Sequence, residues 1–339
     1  MLNVVLFFLA TSLVLYVILA GADFGAGIVE LFSTKSNQAL TKKTIYRVMG
    51  PVWEANHIWI IILIVILWVG FPDFYNVLVV YLHIPLTLVL LGITMRGVAF
   101  VFRHYDAYKD KSQILYDWLF RISSLLTPIF LGMTAGSMLS GKLVITDSYE
   151  QYTFYDLFIA PWLNGFSILV GFFFAALCAF LTSILLIGES DITNRKIYVR
   201  KSKYATLMVI GLGFLVLCFG FINDIIFITD FIKNPYTIVL IILSALLILP
   251  LLRSIKQATK VLSRTLAGLQ VILILFAAMF AHFPYLIIAS NTEMSLLETV
   301  APEAVIKVLG ITLIIGGLVI LPGLFHLLKS FKMIKVLES

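Results

Sequence analysis

Two neighbouring stretches organise this chain. The first is Leu19-Ala-Gly-Ala-Asp23-Phe-Gly-Ala-Gly27-Ile-Val-Glu30. The second follows a basic loop and reads Gly50-Pro-Val-Trp53-Glu54-Ala-Asn56-His57-Ile-Trp59. The first closes a long apolar run and the second opens another, so acids and an imidazole fall where hydrocarbon is expected. An ionisable side chain inside a membrane is expensive and is by default a functional signal.

Working outward, composition sets the class. Of 339 residues, 61% are apolar and only 12% charged, with a mean hydropathy of +1.06. A soluble core needs far less apolar surface, whereas an all-α integral membrane protein of several spans needs this much. The net charge of +6 is spread over short loops between apolar runs, which argues against a nucleic-acid partner. Cys178 and Cys218 fall inside apolar runs and read as small buried hydrophobes. The first apolar run exceeds a signal-peptide core and has no Lys or Arg before it, so it reads as a retained helix.

A span needs about 20 apolar residues. Nine segments qualify, at about 3–32, 52–70, 75–100, 117–140, 157–187, 204–228, 236–252, 263–288 and 304–328. They form a single membrane domain over 1–339 with no separate soluble domain. Pro51 suits the first turn of the second span. Lys and Arg then orient the chain. The loops after odd-numbered spans and the tail carry nineteen of them, including Lys35, Arg103, Lys109, Arg195, Lys332 and Lys335; the alternate loops carry only Lys142 and Lys233. This places the N-terminus outside, the C-terminus in the cytoplasm, and the chain in the cell membrane.

On that topology Asp23 lies roughly 13 Å from the cytoplasmic end of its span. Glu30 sits near that end as an interfacial, solvated charge. Glu54 is under one turn into the second span and His57 about one turn deeper. Asp23 and Glu30 share a helix face, as do Glu54 and His57. If the two spans pack together, Asp23, Glu54, His57 and Glu30 form a ladder suited to passing protons. Gly21, Gly25 and Gly27 would let backbones approach closely there, with Trp53 and Asn56 packing beside them.

Bland readings stand next to these. Asp23 could be fixed by an arginine simply to hold helices, and Glu54 could face the positive end of its own helix dipole. Glu54-Ala-Asn56-His57 has the Glu-x-x-His spacing of di-iron bundles, but no second copy exists, so no metal site is expected. His83 and His282 read as helix-packing donors, and Asp117 as the helical partner of Arg121. Most Trp residues read as a belt near span ends. A proton-coupled transporter is a rival function, disfavoured because neither internal repeats nor broken helices are evident. A purely structural assembly partner is another.

The chain resembles subunit II of the cytochrome bd quinol oxidases. The resemblance rests on Ala22-Asp23-Phe-Gly-Ala-Gly27 and the Gly50–Trp59 stretch. It continues through Met95-Arg96-Gly-Val-Ala-Phe-Val-Phe-Arg103, Tyr116-Asp117-Trp118, Thr134-Ala-Gly-Ser-Met-Leu-Ser-Gly141 and Ala278-Met-Phe-Ala-His282-Phe-Pro284-Tyr285, so it covers nearly the whole chain. It implies a heterodimer with a haem-bearing subunit I that oxidises quinol and reduces dioxygen to water. The b and d haems would sit in subunit I, and this chain would support them and contribute a proton path. The family's span 1 acid matches Asp23, and its acid after the span 2 tryptophan matches Glu54. Some members have Asp followed by Gly-Asn-Gln where this chain has Glu54-Ala-Asn56-His57, which alters the relay geometry. The resemblance also allows a bound quinone and a small accessory subunit, with membrane lipid around the complex.

Overall fold

The computed structural model describes residues 1–50, 53–105, 111–190 and 194–330. Pro51, Lys109, Lys332 and Lys335, used in the sequence reading, lie outside the described residues.

Among the described residues, nine helices are long and apolar enough to cross a membrane. They are span 1 (Leu2–Leu31), span 2 (Trp53–Gly70), span 3 (His83–Arg103), span 4 (Ser112–Leu139), span 5 (Gly165–Glu189), span 6 (Arg195–Ile222), span 7 (Pro235–Gln257), span 8 (Lys260–His282) and span 9 (Glu303–His326). The expected count and class hold, and several details differ for identifiable reasons.

The basic loop after span 1 is a helix, Lys35–Met49. Its buried residues, Thr41, Thr44, Ile45, Val48 and Met49, recur at helical spacing on one face. The opposite face is charged, so a search for apolar runs passes over it. The run expected at 75–100 is two helices, Pro72–Tyr81 and His83–Tyr105, parted at Leu82. Pro85 lacks an N–H and is tolerated in the first turn of the second helix. Span 5 begins at Gly165 because Asn164 caps it, its Oδ1 accepting from Ser167 N at 3.0 Å. Residues 154–158 form a separate short helix begun by a Thr153–Asp156 capping box. Span 6 starts earlier than expected, and Arg195, Lys196, Arg200, Lys201 and Lys203 lie on its first turns rather than in a loop. Span 8 ends at His282, and the chain then forms a small antiparallel hairpin, Tyr285–Ile288 with Glu293–Ser295.

The two stretches that organise the sequence each lie at an irregular turn within a continuous span. Span 1 has a π-helical turn at Tyr16–Ala20, immediately before Gly21. Span 2 opens with the short helix Trp53–Asn56, breaks at His57, and resumes at Ile58–Gly70. Such turns recur where a helix must aim a side chain.

Span 1 therefore has two environments. Its first half packs against spans 2 and 9, and its second half wedges between spans 4 and 5. A Cβ on Gly25 would stand 1.9 Å from the carbonyl oxygen of Cys178, and one on Gly27 would stand 2.3 Å from Ser124 Cβ. These two glycines let span 1 touch the backbone of span 5 and the side chains of span 4. Gly21 makes only ordinary contacts, the nearest at 3.5 Å, so close packing does not depend on it. The Thr182 hydroxyl of span 5 donates to the carbonyl of Ala22 and fixes the register beside Asp23.

Candidate functional site

Asp23 is fully buried in the wedge. Arg96 of span 3 reaches it from the side. Arg96 Nη1 donates to Asp23 Oδ2 at 2.7 Å, Nη2 donates to the Asp23 backbone oxygen at 3.0 Å, and Nε donates to Ser124 Oγ at 3.1 Å. One guanidinium thus ties spans 1, 3 and 4 together, using the fork that lysine lacks. Its plane also lies over Phe24 and Phe120, 5.5 and 5.2 Å from their ring centres. From span 2, His57 Nε2 comes within 3.3 Å of the same Asp23 oxygen. The imidazole ring packs 5.4 Å from Phe24 and 6.2 Å from Tyr16. The second Asp23 oxygen, Oδ1, has no hydrogen-bond partner within the chain.

Seven residues further along each helix, the arrangement repeats. Glu30 on span 1 meets Arg103 on span 3, with the same sequence separation as Asp23 and Arg96. Arg103 Nη2 donates to both Glu30 oxygens, at 2.8 and 3.0 Å, and Arg121 Nε donates to Oε1 at 3.0 Å. Asp117 joins the same cluster, 2.6 Å from Lys42 and 3.0 Å from Arg103 Nε. Phe120 stands between the two levels, with Arg103 4.4 Å from its ring centre. Glu30 is fully buried, so the expectation of a solvated, interfacial charge is corrected. The Lys35–Met49 helix and span 4 close over it and supply its cluster with Lys42 and Arg121. Asp117 does approach Arg121, at 3.7 Å, but its shorter contacts are to Lys42 and Arg103.

The expected ladder is therefore split. Asp23 and His57 are brought together; Glu30 belongs to a separate arginine cluster. Glu54 is exposed, while His57, three residues on, turns inward to Asp23. Trp53 packs on Phe100 of span 3, with ring centres 5.4 Å apart, and lies over Gly97, while Asn56 is buried. Trp59 is buried rather than part of an interfacial belt.

Sequence reasoning allowed Asp23 an arginine without naming Arg96, gave Arg121 to Asp117, and missed that Arg103 and Arg121 hold Glu30. A signal existed: Arg96 and Arg103 are spaced by the same seven residues as Asp23 and Glu30. Among the other candidates, His83 Nδ1 lies 2.8 Å from the carbonyl of Val80. His282 stands between two carboxylates, 2.6 Å from Asp230 and 3.6 Å from Glu293. Among the described residues no group of three His, Cys, Asp or Glu is placed to hold a metal ion.

These features define a multi-span helical membrane protein with arginine–carboxylate pairs built into its core. Residues 1–331 match the family model of cytochrome bd terminal oxidase subunit II. The chain belongs to that family. It is 28% identical over 160 residues to the cytochrome bd ubiquinol oxidase subunit 2 of Bacillus subtilis, a match covering 47% of this chain and 45% of the relative, so the matched stretch spans about half the length of each. A second protein of that strain, provisionally described as a cytochrome bd menaquinol oxidase subunit II, is 26% identical over 94% of this chain and 91% of its own length. The fold is similar to a chain in the structure of bd oxidase from Geobacillus thermodenitrificans, with a TM-score of 0.76 and 17% identity over 97% of this chain and 98% of that one.

Proposed function

We propose that this chain is the non-haem subunit of a quinol:dioxygen oxidoreductase, supporting a haem-bearing subunit I and helping to carry protons to it from the cytoplasm. The basic ends of the spans support that orientation. Glu54, His57 and Asp23 are the proposed carriers. Glu30 has both oxygens engaged by arginines, so we place it in the frame of the path rather than among the carriers.

The observation that carries this reading is the exposure of Glu54 on a membrane span. A carboxylate facing lipid is costly, so such a residue belongs under a protein surface or beside water. Subunit I is the surface proposed to cover it. Glu54 would then hand protons between that interface and the His57–Asp23 pair three residues deeper. In this reading the haems sit in subunit I. When bound there, the haems supply the redox chemistry. This chain's residues hold geometry and move protons.

Glu54→Gln in the intact complex tests the reading. Haem content, read from the reduced-minus-oxidised spectrum, is expected to stay the same. Oxygen uptake with saturating quinol is expected to fall, by as much as about 100-fold if no other route compensates. Unchanged uptake overturns the role. A purely structural role for this chain remains a second reading, favoured by the Arg96 clamp on Asp23; it predicts haem loss rather than slowed turnover.

A further inference from the structure

Five buried polar atoms of spans 1 and 2 have no hydrogen-bond partner within the chain: Asp23 Oδ1, His57 Nδ1, Tyr16 Oη, Trp59 Nε1 and Ser12 Oγ. Four of these residues are at least nine-tenths buried: Asp23 at 0%, Ser12 at 1%, Tyr16 at 4% and Trp59 at 5% exposure. A buried polar atom with no partner costs about 1–3 kcal/mol, so a cluster of them calls for ordered water.

Ser12 makes the contrast plain. Elsewhere in the spans hydroxyls turn back onto the preceding helical turn: Thr127 donates to Ser123 O, Thr134 to Phe130 O, Ser137 to Met133 O and Thr206 to Ser202 O. Ser12 does not. Tyr16, four residues on, opens the π-helical turn of span 1. Its ring lies against Phe24 and His57, in the same core cluster as Trp59. Tyr16 precedes Asp23 by seven residues, about 10 Å of helix, and Ser12 lies about 6 Å further on. The rings of Tyr16 and His57 are 6.2 Å apart at their centres, so one or two waters at hydrogen-bond spacing are enough to join the Asp23–His57 pair to Tyr16.

We propose that these atoms hold a file of buried water running from the Asp23–His57 pair to Tyr16 and on to Ser12, and that the Tyr16 hydroxyl passes protons along it. The proton-carrying part rests on the proton-path reading above. A proton arriving on the first water displaces one to the next. Tyr16 Oη accepts a proton on one side and releases its own on the other, so it ends each passage neutral and no electron moves. Trp59 Nε1, a donor only, fixes the orientation of one water without titrating.

Radiolytic footprinting of the intact complex in ¹⁸O-labelled water tests the file itself. Side chains beside bound water become hydroxylated even when buried. Tyr16 and Trp59 are expected to take up label well above Phe74 and Phe180, which are as deeply buried. Label at the Phe74 and Phe180 level overturns the file. Tyr16→Phe tests the transfer: with haem content unchanged, oxygen uptake is expected to fall about tenfold or more and its solvent isotope effect to rise. Unchanged uptake and isotope effect overturn the role of Tyr16 even where Tyr16 labels. Should Glu54→Gln leave uptake unchanged while Tyr16 still labels, the proton-path reading fails and the water file stands.

Discussion

Arg96 grips Asp23 at two points, its carboxylate at 2.7 Å and its own backbone carbonyl at 3.0 Å. The pair joins spans 1 and 3, and a third bond to Ser124 draws in span 4. Both partners are essentially without solvent contact, at 0% and 2% side-chain exposure. Removing one member of such a pair leaves an unpaired buried charge, which typically costs about 3–5 kcal/mol.

Arg96→Leu is therefore expected to lower the yield and melting temperature of the assembled complex sharply. Arg96→Lys is expected to rescue little, because one ammonium cannot reach a carboxylate, a carbonyl and a serine hydroxyl from the positions the fork occupies. Asp23→Leu combined with Arg96→Leu removes both charges and is expected to recover part of the stability. A melting curve of each variant in detergent decides this; a single Arg96→Leu as stable as the parent would show that the clamp holds nothing.

Glu30 leads to a different expectation. Its oxygens accept from Arg103 twice and from Arg121 once, inside a cluster of two acids and three bases that also includes Asp117 and Lys42. Glu30→Gln removes one of the two negative charges and leaves the arginines facing each other. The expected result is a loss of stability of about 3 kcal/mol or more, with turnover per intact, haem-loaded complex close to the parent. Glu54→Gln should show the opposite pattern. If Glu30→Gln instead kept the melting temperature and slowed oxygen uptake, Glu30 would belong among the carriers.

Much of this was legible in sequence. Apolar run length gave nine spans, because helices are the open-ended way to satisfy every backbone group in hydrocarbon. The intramembrane acids marked the site for the same reason. Partners and facing surfaces were not legible. Nothing local pairs Asp23 with a residue in a helix two spans away, although the shared seven-residue spacing of Asp23/Glu30 and Arg96/Arg103 hinted at it. The irregular turn at His57 was not legible either, because no proline or glycine announces it. The Lys35–Met49 helix was hidden because its apolar face is too narrow to raise the mean hydropathy.

Span 1 supplies the last prediction. At Gly25 a methyl group would collide with the backbone oxygen of Cys178 at 1.9 Å and with Thr182 Oγ1 at 2.2 Å. The carbonyl belongs to the frame of span 5 and cannot rotate away, so Gly25→Ala forces the two helices apart. Gly27→Ala meets Ser124 Cβ at 2.3 Å, on the residue that also bonds Arg96. Overpacking of this kind costs about 1–3 kcal/mol and more where backbone must move. Here it would also disturb the Thr182 bond to Ala22 and the Ser124 bond to Arg96 on either side of Asp23. Gly25→Ala and Gly27→Ala are each expected to lower the melting temperature and the fraction of complex retaining haem. Gly21→Ala, whose nearest neighbour is a flexible Leu181 methyl at 3.5 Å, is expected to behave like the parent. Equal tolerance at Gly21 and Gly25 would mean that spans 1 and 5 sit further apart than this packing requires.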